Sequence, residues 1–318
     1  MNSTKLHWFQ VALRWQGSVI PAIFPRVLLC GSFAVLISLL QQSGLSLSFP
    51  LSSSIIPDVV LGLLLVFRTN TAYERFWEGR KLWGSLVNTV RNLARQIWVA
   101  VIELEPVDRE QKVAILRLLV AFAIATKLHL RGEPVNSELE ELMSPSRYVK
   151  LKTMNNPPLE IAFWIGDYLQ QQYYRNCLNI YQMSDIQKLL DTLVNILGGC
   201  ERILKTPMPL GYAIHLKQLL LIYCLFLPFV MVGDLKLWTG PIVALVSFTL
   251  FGVEEIGLEI ENPFGYDGND LPLSAICNTM RRNIEDLITL SPSVHSYIGD
   301  SKTPQVESAN YQPPTLDS

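Results

Sequence analysis

The sequence predicts an all-α integral membrane protein that also carries a large water-soluble helical block. Of its 318 residues 49% are hydrophobic and only 17% are charged, whereas about 25% are charged in an ordinary soluble domain. Four apolar runs are present, and one long charged segment separates the second from the third. In addition, residues 55–104 pass from apolar to charged with no proline after Pro57. A helix of about fifty residues would be about 75 Å long, more than twice the thickness of a bilayer core, so it must pass from one medium into another.

The four apolar runs are the candidate membrane spans, at residues 20–41, 55–67, 210–232 and 237–257. A polar, serine-rich connection joins the first two, and the short segment 233–236 joins the last two. We therefore expect two helical hairpins. The fully uncharged part of each run is shorter than the roughly 18 residues that identify a span by themselves. Buried helices of a soluble protein are therefore an alternative interpretation.

The placement of charge favours the membrane interpretation. Both hairpin connections contain almost no lysine or arginine, while the N-terminal segment, the long central segment and the last helix contain nearly all of them. Positive charge is retained on the cytoplasmic side of a membrane. We therefore expect both termini and the central block to be cytoplasmic.

The remaining residues up to 290 are expected to fold with the spans as one domain. Residues 68–208 and 258–290 form the predicted cytosolic helical block, with clear helical periodicity in 113–128 and 186–204 and a last helix at 273–290. Residues 291–318 are polar and proline-containing, which predicts a disordered tail.

The stretch 55–104 carries the most informative pattern in the chain. Val59, Leu63 and Phe67 recur every four residues, so they share one face of a helix. A packing stripe is the ordinary explanation. However, Asp58 lies in the same segment, and an intramembrane carboxylate usually faces protein or a water-filled path. Charged residues begin directly after Phe67, namely Arg68, Glu74, Arg75, Glu78, Arg80 and Lys81.

Several classes of function are disfavoured. A net charge of −2 provides no basic field for nucleic acid. The four histidines and five cysteines are scattered, with neither HExxH nor CxxC, which argues against a histidine-ligated or zinc site. The sequence contains no GxxxxGK[ST], GxSxG or GxGxxG motif. We therefore expect no enzyme activity.

Three motifs carry a resemblance to a known family. They are LGLLLVFRTNTAYERFWEGRKLWG at 61–84, LGGCER at 197–202 and ENPFGYDGNDLPLSAICNTMRRN at 261–283. With the order of spans and block, they resemble the bestrophins in their bacterial branch, over residues 6–290. The resemblance implies a homopentameric ion channel with one axial pore, in a bacterial plasma or thylakoid membrane. It places a hydrophobic neck at Val59, Leu63 and Phe67, and a cytosolic constriction at Ile186.

The resemblance implies small anions, chloride and bicarbonate, as the permeant ions. The positive edge of an aromatic ring at Phe67 would favour anions, as would Arg68 just beyond the neck. Asp58 at the outer mouth would favour cations, and Val59 and Leu63 are aliphatic. A sodium channel of the same fold is therefore an alternative, and a helical scaffold that conducts nothing is a second one. The expected partners are further copies of the chain, the lipid bilayer and monovalent ions.

The motif at 261–283 also contains a candidate calcium site. Asp267 and Asp270, with glycines nearby, have the composition of an oxygen-ligand loop, although an acidic turn before the last helix is the simpler explanation. The resemblance adds the backbone carbonyls of Glu259 and Asn262. It also implies weaker binding or none, because the loop is less acidic than in the calcium-gated members of the family. Calcium is thus the only cofactor considered.

Overall fold

The structure, a computed structural model, describes residues 14, 15, 17–49 and 56–292. Within these residues all regular secondary structure is helical, which confirms the predicted all-α class. The predicted disordered tail lies outside the described residues, except for residues 291 and 292. The α-helices are α1 Ile20–Gln42, α2 Ile56–Ala100, α3 Pro106–Arg131, α4 Ser137–Glu140, α5 Pro145–Leu151, α6 Pro157–Tyr174, α7 Ile180–Lys205, α8 Leu210–Leu235, α9 Thr239–Glu259 and α10 Leu273–Thr289.

Local sequence signals set the ends of the central helices. At the start of α3, Glu105 and Asp108 exchange hydrogen bonds between side chain and backbone N–H groups, forming a capping box. At its end, Gly132 adopts a φ of 67°, the left-handed conformation that glycine favours. Asn179 and Gln182 form a second capping box at the start of α7. This cap explains why α7 begins six residues before the segment 186–204 whose periodicity was evident.

Helices α1, α8 and α9 and the first turns of α2 make up an apolar unit. Its core includes Ile23, Leu65, Leu216 and Phe251. Many large apolar side chains on the outer surfaces of this unit are exposed, such as Phe24 on α1. An apolar exterior of this kind suits lipid or the face of another subunit.

The first predicted hairpin is wrong as a packing unit. Helix α1 makes its most extensive contacts with α9, and α1 with α2 is not among the helix pairs in extensive contact in the described part of the chain. Small residues explain this choice, since a Cβ at Gly240 of α9 would lie 2.5 Å from Cγ2 of Val35 on α1. The second hairpin, α8 with α9, does pack together. Its helices are separated only by the 3-10 turn Lys236–Trp238.

Among the described residues, three stretches are long and apolar enough to cross a membrane. They are Ile20–Gln42, Pro106–Arg131 and Leu210–Glu259, the last comprising α8 and α9. The apolar start of α2, which is predicted as the second of the four spans, is too short to be included, so that span stays a prediction. Of the 18 residues that make the middle stretch, α3, apolar enough, 78% are buried. In the other two stretches the corresponding shares are 33% and 22%. It is therefore the central helix of a packed core.

That core belongs to the helical block, which consists of the rest of α2, α3–α7 and α10. Trp83 on α2, Phe122 on α3, Ile165 on α6 and Met280 on α10 are all fully buried in it. Helix α10 runs parallel to α2 along one side, where the indole N–H of Trp98 donates to the carbonyl of Leu290 over 2.8 Å. The packing covers one side of α2 and leaves the opposite side exposed.

Candidate functional site

The uncovered side of α2 carries the apolar stripe that the sequence singled out. Val59, Leu63 and Phe67 are 51%, 51% and 61% exposed, whereas Leu61 and Leu65 between them are buried. The side chains of the stripe therefore point away from their own protomer. Three exposed apolar side chains in a row are typical of a surface that faces lipid or another copy of the chain. One protomer does not enclose a path along this stripe.

Asp58 is exposed at the start of the same helix, and its Oδ1 accepts a hydrogen bond of 2.8 Å from the hydroxyl of Tyr223 on α8. Successive residues of an α-helix are about 100° apart around the axis. The carboxylate of Asp58 is accordingly directed toward α8 and is not aligned with the apolar stripe.

Arg68, which is predicted as a charge at the pore mouth, is buried within the protomer. Its side chain is only 1% exposed, and its Nη2 forms an ion pair of 2.7 Å with Oε2 of Glu261. The reason is again the helical turn of about 100° per residue, which carries Arg68 from the open face of Phe67 into the protomer. Burial would raise the pKa of Glu261, but the backbone N–H of Met208 and the Arg68 guanidinium outweigh it and lower that pKa. Arg68 therefore ties the helix to the segment after α9.

Arg75, whose role the sequence did not reveal, strengthens the same junction. Its Nη2 donates to the carbonyl of Ile203 over 2.6 Å and its Nε to the carbonyl of Glu261 over 3.2 Å, and it also contacts the carbonyl of Thr206. The carbonyls of Ile203 and Thr206 lie at and just after the end of α7, and that of Glu261 lies just after the end of α9. Basic side chains commonly bind free carbonyls at helix ends. Only the long-range packing of α2 against α7 identifies this role.

Ile186, which is predicted to line a cytosolic constriction, is buried within the protomer. Its side chain is 1% exposed and belongs to the core of the helical block. In this protomer the side chain does not reach the surface, and its place at a constriction stays a prediction. In this region the exposed apolar side chains are Ile180 and Tyr181, at 56% and 81%, on the first turn of α7.

The candidate calcium residues lie at the end of α9 and in the loop that follows it. Calcium takes six to eight oxygen ligands. Three side-chain oxygens of these residues accept hydrogen bonds from protein donors, whereas the ligands predicted at Glu259 and Asn262 are their backbone carbonyls. Oδ2 of Asp270 accepts from the backbone N–H of Asp267 over 2.7 Å, and Oε2 of Glu259 accepts from the Asn269 amide over 2.7 Å. Oδ1 of Asn262 accepts from the N–H of Phe264 over 3.3 Å.

A positive charge also lies against this loop, because Arg131 donates to the carbonyls of Phe264 and Gly265 over 3.0 and 2.9 Å. Burial raises the pKa of Asp270, whose Oδ1 has no hydrogen-bond partner among the described residues. In the same part of the chain no three acidic, histidine or cysteine side chains are grouped to hold a metal ion. Calcium binding by this loop together with the backbone carbonyls of Glu259 and Asn262 stays a prediction.

Comparison with known proteins decides the family. Residues 1–286 match the family of bacterial and fungal bestrophin proteins. The chain is a bestrophin. This bestrophin is 68% identical over 297 residues to a voltage-dependent anion channel-forming protein of Nostoc sp., covering 93% of this chain and 97% of the relative. It is 59% identical over 285 residues to one of Synechocystis sp., covering 90% and 93%.

The structural relatives agree. A crystal structure of a bacterial bestrophin homologue from Klebsiella pneumoniae matches with a TM-score of 0.77 at 30% identity, covering 85% of this bestrophin and all of the homologue. The names of these relatives are those of bestrophins and channel-forming proteins and not of enzymes. With its apolar helices, this bestrophin is a multi-pass membrane protein.

Proposed function

We propose that this bestrophin is one subunit of a homopentameric channel that conducts small anions passively. The observation that carries the proposal is the apolar stripe of α2, which is exposed along a helix whose other side is buried. Five copies arranged around an axis would cover this stripe and enclose a path that one protomer lacks. The relatives named as anion channel-forming proteins support the choice of ion class.

In this arrangement Val59, Leu63 and Phe67 would form three successive apolar rings, the neck of the pore. Such a constriction does not coordinate the ion. It controls passage because the ion must shed its hydration water there and because the apolar rings exclude water from the neck. Phenylalanine edges at the level of Phe67 would turn partial positive charge toward a passing anion. Chloride and bicarbonate are the candidate ions.

The proposed orientation places both termini and the helical block in the cytoplasm, because the basic residues are concentrated there. The start of α2 completes the set of four spans in this arrangement and is the second of them along the chain. It would be short for a bilayer, but it lies at the axis, where neighbouring subunits rather than lipid would surround it. A bacterial plasma membrane or a thylakoid membrane is the proposed location.

Two measurements test the proposal. Purified protein in a planar bilayer under a tenfold salt gradient should give a reversal potential of the sign expected for anions. Leu63→Ala should widen the neck and raise the current, whereas Leu36→Ala on α1 should not, although both leucines are 51% exposed. Equal currents for wild type and Leu63→Ala would remove the neck assignment. A monomeric particle in detergent that carries no current would favour the scaffold interpretation.

A sodium channel of the same fold is the second candidate. Asp58 and Glu74 are exposed near the two ends of the apolar stripe, and negative charge there would attract cations. The sign of the reversal potential separates the two candidates directly, since the same gradient drives anion and cation currents in opposite directions.

A further inference from the structure

The C-terminal half of α2, from Gly79 onward, carries charge of only one sign. Between Gly79 and Ala100 the helix has four charged residues, and all four are basic. They are Arg80, Lys81, Arg91 and Arg95, and each of them is exposed. The apolar stripe nearer the start of the helix contains no charge. The two halves of one helix therefore present very different surfaces.

Two of these residues lie on the same face as the neck. Lys81 follows Leu63 by 18 residues, which is about five whole turns at 3.6 residues per turn. Arg95 follows Val59 by 36 residues, which is about ten turns. The opposite side of this half is fixed in the core by Trp83, which is fully buried. The open face of α2, defined by Val59, Leu63, Phe67, Lys81 and Arg95, therefore continues from the apolar unit into the helical block.

The charges of Lys81 and Arg95 are not neutralised within the protomer. In the described ranges neither side chain forms an ion pair or a side-chain hydrogen bond. Arg91 only donates to the neutral amide of Asn283, over 2.8 Å. Glu78, an acid earlier on the same helix, is bound to Arg202 of α7 over 2.6 Å.

Other acidic groups lie in the surroundings of this face. Glu74 is exposed about two turns after Phe67 and about two turns before Lys81, so it lies on the open face between them. Helix α10, which runs alongside, exposes Arg282, Glu285 and Asp286, and none of these pairs with Lys81 or Arg95 within the described residues. In the described part of the chain, the open face therefore carries two basic side chains and one unpaired acidic one beyond the neck, and further acidic groups of α10 lie at its flank.

We infer that Lys81 and Arg95 determine the sign of the ion that this channel admits. The inference rests on the proposed pentamer, in which each residue would appear five times around the path on the cytoplasmic side of the neck. Two rings of positive charge in a confined vestibule raise the local concentration of small anions and lower that of cations. The neck, being apolar, contributes a barrier, and the vestibule contributes the selection. Both residues act on the ion in water without binding it tightly.

Salt dependence gives this inference its own signature. The Debye length is about 30 Å at 0.01 M salt and about 3 Å at 1 M. The effect of the rings should therefore be large in dilute salt and absent in concentrated salt. A variant that damaged the neck or the assembly would lose current at both concentrations.

The experiment uses planar bilayers and a double variant that carries both Lys81→Gln and Arg95→Gln. Its control is the single variant Arg117→Gln. Arg117 is an exposed arginine on α3, away from the open face. In about 0.01 M salt the double variant should conduct anions at least about two-fold less than wild type, with a reversal potential shifted toward that of cations. In 1 M salt it should equal wild type, and Arg117→Gln should equal wild type in both.

Two further variants guard the result against misfolding. Lys81→Arg with Arg95→Lys keeps both charges and should behave as wild type, and Glu74→Gln should raise the anion preference. Wild-type dilute-salt conductance in the double glutamine variant, or its loss in the charge-keeping variant, would overturn the inference alone. A cation reversal potential in the wild-type channel would instead overturn the proposed function.

Discussion

Helices α1 and α3 are both apolar enough to cross a membrane, yet the protein uses them in opposite ways. Helix α3 is 78% buried among α2, α6 and α10, whereas α1 is 33% buried and exposes apolar side chains such as Phe24 and Leu28. Composition therefore does not distinguish a membrane helix from the central helix of a water-soluble core. What distinguishes them is whether other parts of the same chain cover the helix. Helix α1 needs lipid or another subunit, and α3 needs neither.

The strongest test of this contrast is to remove one aromatic ring from each helix. Phe122 on α3 is fully buried, so Phe122→Ala should destabilise the helical block by about 3–5 kcal/mol. Phe24 on α1 is 52% exposed, so Phe24→Ala should change stability by less than about 1 kcal/mol. Unfolding of the purified protein in detergent, followed by tryptophan fluorescence, measures both. Equal losses would mean that the two helices are covered equally.

A second test concerns a buried carboxylate of the helical block that is paired with an arginine. Asp108 is 3% exposed, and Arg175 donates to both of its carboxylate oxygens over 2.7 and 3.1 Å. The hydrogen bonds from Arg175 outweigh burial and lower the pKa of Asp108 to about 2. Asp108→Asn should therefore cost about 1.5–3 kcal/mol at neutral pH.

The pH dependence of that loss follows from the sign of the shift. A pKa lower in the folded state means that the carboxylate stabilises the protein above about pH 4, the ordinary range for aspartate. The contribution is lost as the pH falls toward 2, so the stability difference between wild type and Asp108→Asn should shrink over this interval. Asp185→Asn, at an exposed residue paired with Lys188, should cost less than about 0.5 kcal/mol at any pH.

A smaller effect is expected where the loop after α9 packs on α2. A Cβ at Gly79 would lie 2.9 Å from Cγ of Pro263 and 3.2 Å from Cε1 of Phe264, and a proline ring has little freedom to move. Gly79→Ala should therefore destabilise the protein by about 1–2 kcal/mol, even though alanine favours the helix. Gly198→Ala on α7 meets nothing within 4 Å and should stabilise it by about 0.5–1 kcal/mol. The same sign for both variants would contradict the close packing.

The smallest expected effect is that of calcium, bound at the loop between α9 and α10, on the stability of the protein. Because Arg131 lies against this loop and protein donors bind Oδ2 of Asp270 and Oε2 of Glu259, millimolar calcium should not raise the unfolding midpoint more than magnesium does. A rise specific to calcium that Asp270→Asn abolishes would support the calcium hypothesis.

The sequence by itself determined the helical class, the long helix that changes from apolar to charged, and the family. These properties are local, because helix caps, hydrophobic periodicity and sequence motifs depend on residues that are close together in the sequence. The apolar stripe was also identified by its spacing of four, and all three of its side chains are exposed as a stripe facing other molecules requires. Its place in a pore stays a prediction.

Only the tertiary structure decided which faces are covered. It buried Arg68 and Ile186, which the sequence had assigned to the passage, and it paired α1 with α9 rather than α2. It also revealed Arg75 as a tie between α2 and α7 and left Lys81 open to solvent. The physical reason is that a helix turns about 100° at every residue, so neighbours in sequence face different surroundings. What those surroundings are depends on side chains that lie far away along the chain.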